Sequence, residues 1–131
     1  MNANLLYGIF FFILAHIGAF IQLNGQFKWD FFKNNEWVIA AFGFILSFFY
    51  IWGTKYTVLA FDGLLWPPRF IGFGIGMIVY ALGVWFMFKE GINAKTLVSL
   101  VLCFILISIQ VLWKTETKDK VGQITNTEIR Q

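Results

Sequence analysis

Residues 69–88 read RFIGFGIGMIVYALGVWFMF, and residues 89–113 continue KEGINAKTLVSLVLCFILISIQVLW. From Phe70 to Phe88 there are 19 residues without a formal charge, and from Leu97 to Trp113 another 17. At about 1.5 Å per residue the first run reaches across roughly 30 Å of hydrocarbon, and the second spans with little tilt. The link from Lys89 to Thr96 is short enough to force two neighbouring, antiparallel helices. Gly72, Gly76 and Gly83 fall within about 40° of one another on the first helix, as do Ser99, Cys103 and Gln110 on the second. Each helix therefore has one small or polar stripe and one bulky apolar face. Small stripes let helices approach closely in lipid, where no hydrophobic drive brings them together. Both stripes are assigned to helix packing or to a dimer contact.

The rest of the chain follows the same pattern. Of 131 residues, 59% are hydrophobic and only 13% charged, more apolar surface than a water-soluble domain of this length can hide. Seventeen Phe and six Trp suit lipid contact and the interfacial belt. The expected fold is all-α: a bundle of four transmembrane helices at about 5–23, 37–53, 69–88 and 96–113, forming one domain over residues 1–113. The first few residues lack the positive charge of a secretory leader, so the first helix is expected to be retained. Residues 24–36 form a loop with headgroup-level aromatics, Trp29, Phe31, Phe32 and Trp37. Residues 53–69 are expected to be the longest connection, amphipathic from Tyr56 to Trp66 and either lying in the interface or dipping inward. Trp66-Pro67-Pro68 opens the third span, since proline is tolerated in a first turn. Residues 114–131 are polar and aperiodic and read as a solvated, disordered tail.

Charge sets the orientation. The face shared by the N-terminus, the second connection and the tail carries Lys55, Arg69, Lys114, Lys118, Lys120 and Arg130. The opposite face carries Lys28, Lys33, Lys89 and Lys95. Six against four places both termini in the cytoplasm.

His16 is the only histidine and lies mid-span. An ionisable group there is a functional candidate, because holding it charged costs several kcal/mol. The structural alternative is a neutral imidazole bonded to a neighbouring helix, through Gln110 or a backbone carbonyl. Phe12, one turn before His16, joins Tyr50, Tyr80 and Trp85 as candidate solute contacts, since aromatic faces take cations and rings. Arg69 reads as a snorkelling edge charge, with an anion contact as its functional alternative. Cys103 reads as a small apolar filler. The single Cys excludes an internal disulfide and most zinc sites. No metal cluster, activated nucleophile, phosphate loop or paired carboxylates appear in the sequence, so neither an enzyme nor a cofactor is expected, and nucleic acid is not an expected partner.

Four short spans in a chain of this length resemble the small multidrug resistance family of the drug/metabolite transporter superfamily. Phe73-Gly74-Ile75-Gly76 resembles that family's third-helix glycine element. Ile13-Leu14-Ala15-His16 with Gly18 resembles its first-helix element, with His16 standing where the family has glutamate. The resemblance implies a homodimer, often antiparallel, whose first helices line a cavity for a small solute in a bacterial inner membrane. The family's fourth helix is a dimer contact, which gives Ser99, Cys103 and Gln110 that alternative role. A glutamate's empty state is negative and attracts a cation, whereas a histidine's is neutral. The substitution therefore predicts a neutral or anionic solute, or no transport. The competing expectation is an accessory subunit of a larger membrane complex.

Overall fold

The computed structural model describes residues 2–113; the expected tail at 114–131 lies outside the described residues. The described chain is all-α. Helix α1 runs Ala3–Asn24, the short α2 Asp30–Asn34, α3 Glu36–Ala60, α4 Trp66–Phe88 and α5 Ala94–Leu112. Four of these (α1, α3, α4 and α5) are long and apolar enough to cross a membrane, and the protein is a multi-pass integral membrane protein.

The helix ends follow from local chemistry. Asn2 caps α1, its side chain accepting from the Asn4 amide at 3.0 Å. Asn93 caps α5, accepting from the Thr96 amide at 2.9 Å and its hydroxyl at 3.1 Å. Pro67 and Pro68 sit in the first turn of α4, where a missing N–H removes no helical bond. Lys89 ends α4 in the left-handed region at φ 58°. Across the end of the bundle, Lys28 donates to the Met87 carbonyl at 2.9 Å and satisfies one acceptor of the last turn of α4.

The second span corrects the sequence reading. It does not stop near residue 53 but runs seven residues further, to Ala60. Residues 54–60 contain neither proline nor glycine, and the Thr57 hydroxyl bonds back to the Gly53 carbonyl at 2.7 Å. The chain turns only at Asp62 and Gly63, at φ 54° and 91°. The expected long interfacial connection is thus five residues, 61–65, and most of Tyr56–Trp66 is helix.

α1 is the central helix. α3 packs antiparallel to it: Phe11 stacks on Tyr56 at 5.7 Å, and Gln22 donates to the Ile39 carbonyl at 2.8 Å near the opposite end. α4 packs parallel to α1 through its glycine stripe. A methyl at Gly72 would lie 3.3 Å from the Phe12 ring, at Gly76 2.6 Å from His16 Cε1, and at Gly83 2.7 Å from the Phe20 ring. Phe12, His16 and Phe20 recur every four residues, so one ridge of α1 fills the groove that three absent side chains leave. The stripe is therefore packed within the monomer. α5 lies outside, against α4, where Ile107 and the Cys103 backbone close on Gly74. Cys103 is the one buried residue of α5, and Phe104 is 67% exposed.

Candidate functional site

His16 stands about 20 Å from the start of a helix about 33 Å long, within a few ångströms of its midpoint. Its ring meets Tyr50 edge-on, with centroids 5.2 Å apart and planes at 87°. Tyr50 Oη lies 3.2 Å from His16 Nδ1. The hydroxyl donates to a bare Nδ1 or accepts from a protonated one, so the pair is satisfied in either tautomer. The Gly72 backbone supplies a second polar neighbour. The expected Gln110 partner is not used: the hydrogen bond goes to α3, because α5 packs against α4.

The ring is half-buried rather than sealed, and one edge lines a cleft of about 490 Å³ between α1, α3 and α4. His16, Tyr50, Thr54 and Arg69 supply its polar wall. Phe12, Pro68 and Phe73 supply the apolar one. A volume of this size suits a small solute, and a few convergent polar groups on an apolar wall are the usual composition of a ligand site. Among the described residues, no carboxylate lines the cleft.

Among the described residues, the hydroxyls of Ser47, Thr57, Ser99 and Ser108 all bond back to their own helices, whereas that of Thr54 has no partner. The Arg69 guanidinium also has none among the described residues. Both are exposed at the cleft.

The structure brings together three of the five expected solute contacts: Phe12, His16 and Tyr50. Tyr80 does not join them. It sits about 6 Å further along α4 than Gly76, at the level of Phe20, with its hydroxyl donating to Asn24 Oδ1 at 3.3 Å. Trp85 is nine residues from Gly76, half a turn around the helix, and is exposed. Of the α5 stripe, Cys103 is buried against α4, Ser99 bonds to the Lys95 carbonyl at 2.9 Å, and Gln110 is half-buried.

The sequence reading did not single out Thr54, and it read Arg69 as an edge charge; the structure places both on the cleft wall. Thr54 is one turn past Tyr50 on the same face, a signal hidden by ending the helix at residue 53. No family model, curated protein or solved structure matches this chain.

Proposed function

We propose that this protein is a small transporter-like membrane protein of the drug/metabolite type, with His16 and Tyr50 in the cavity that receives a small solute. The observation that carries this reading is that His16 borders an open cleft at mid-depth. An accessory subunit would need no such space and would bury the ring among its neighbours. The aromatic and apolar walls give a solute's body its contacts, and the polar wall orients it. Two copies form the working unit. The outer face of α5 exposes Leu102, Ile105 and Ile109 and is open to a second chain. The bias of six Lys and Arg against four supports an orientation with both termini cytoplasmic, and the proposed location is a bacterial inner membrane. So small a bias also allows insertion in both directions.

Two measurements test the reading. In mild detergent, native mass is expected at twice 15.2 kDa. In proteoliposomes on a solid-supported membrane, a panel of small anions, amides and cations is expected to yield a saturable current that H16A abolishes. A complex with a different protein, together with no current from any class, overturns the reading. Resistance to ethidium-like cations that H16A abolishes would overturn the neutral-or-anionic solute.

A further inference from the structure

We propose that the His16 cleft is an oxyanion site, taking a carboxylate or phosphate monoanion attached to a compact apolar body. The inference rests on reading the cleft as a solute site and adds the sign of the solute's charge.

The argument begins with charge. Among the described residues, Arg69 is the only permanently charged group on the cleft wall. Among the described residues, α1 contributes His16 to the cleft wall, α3 Tyr50, α4 Arg69 and the 61–65 connection Leu65, and none of the lining residues is an acid. With the imidazole neutral, the described wall of the empty cleft carries one positive charge. A monoanion brings it to zero, whereas a cation raises it to two. Near hydrocarbon, where charges are weakly screened, the first outcome is favoured and the second opposed.

Geometry adds direction. The Arg69 fork offers parallel N–H donors that match a carboxylate or phosphate edge. Thr54 adds a hydroxyl free of any partner among the described residues, and the hydrogen-bonded Tyr50–His16 pair leaves one polar hydrogen over, from the hydroxyl or from Nε2 according to the tautomer. Phe12 and Phe73 then flank an apolar body pointing away from the charge. A soluble organic acid and a lipid headgroup share this chemistry.

Benzoate is the probe for the full chain in phosphatidylcholine nanodiscs, with benzamide as its neutral isostere and tetraphenylphosphonium as the cation. Binding is followed by calorimetry and by thermal shift. Saturable benzoate binding is expected, with benzamide at least tenfold weaker. R69Q is expected to weaken benzoate tenfold or more, R69K less, and K55Q, a cation off the cleft wall, not at all. The wild-type comparison of benzoate with benzamide needs no variant and so survives misfolding of R69Q. Adding phosphatidylglycerol separates the two sources: displacement of benzoate assigns the site to a lipid headgroup, and an unchanged affinity assigns it to a soluble acid. Benzamide or tetraphenylphosphonium binding as tightly as benzoate, with loss in Y50F, overturns the oxyanion assignment and leaves the solute cleft standing. K55Q weakening benzoate as much as R69Q overturns the assignment to Arg69. No binding of any of the three probes overturns both.

Discussion

Tyr50 Oη sits 3.2 Å from His16 Nδ1, joining α3 to α1 at the middle of the bundle, the only side chain–side chain hydrogen bond recorded between those two helices among the described residues. Interhelical hydrogen bonds of this kind in membranes contribute about 0.6 kcal/mol on average, because the unfolded chain in lipid also finds partners. Y50F keeps the ring and deletes the hydroxyl. It is expected to lower unfolding free energy by about 0.5–1 kcal/mol in mixed micelles. In a double-mutant cycle with H16F the two losses are expected to be non-additive. Strict additivity would show that the pair is not coupled.

The glycines of the core differ in what surrounds them, and the difference orders their mutants. A methyl at Gly8 would meet the Thr57 amide nitrogen at 3.0 Å and the Gly53 carbonyl at 3.2 Å, both backbone atoms that cannot swing aside. At Gly72 the nearest atom is the edge of the Phe12 ring at 3.3 Å, and at Gly91 there is nothing within 4 Å. G8A is expected to cost about 1–3 kcal/mol, G72A less, and G91A nothing measurable. Thermal unfolding in a single detergent ranks the three, and G72A exceeding G8A would contradict the packing of α1 on α3.

Lys28 reaches from the loop after α1 to the Met87 carbonyl on α4. Replacing it with Met keeps the stem and removes the donor. Hydrogen exchange is expected to speed up over residues 84–88, where the last turn loses its acceptor's partner, and to stay unchanged at the start of α4. Lys89, over the Phe86 ring at 5.3 Å, remains to hold the same end.

The continuation of α3 to Ala60 has its own test. Spin labels placed singly at residues 54–60 are expected to show accessibility with a 3.6-residue period. Position 57 should be protected, and positions 55 and 59 accessible, as Thr57 is buried while Lys55 and Leu59 are exposed. A monotonic rise in accessibility from 54 onward would restore the long interfacial connection.

Much of this molecule is legible along the chain because lipid imposes a blunt rule. Backbone groups in hydrocarbon must bond within their own helix, so any charge-free run of about 17–20 residues is already a structural statement. That rule yields the number of spans, the place of the two prolines and the depth of His16. It fails at residues 54–60, since a single Lys55 looks like a boundary in a count of charges, yet a long lysine stem at the edge of a span leaves the helix unbroken.

The amino-acid order by itself determined four apolar helices, a glycine stripe on the third span and one imidazole in the middle of the first. Only the tertiary structure decided that the stripe receives Phe12, His16 and Phe20 of the same chain, that the imidazole turns to Tyr50, and that Thr54 and Arg69 share its cleft. The physical reason is that span length and face periodicity are properties of one helix. Which face meets which depends on how helices of nearly equal greasiness fit their shapes together, and apolarity alone does not distinguish one such fit from another.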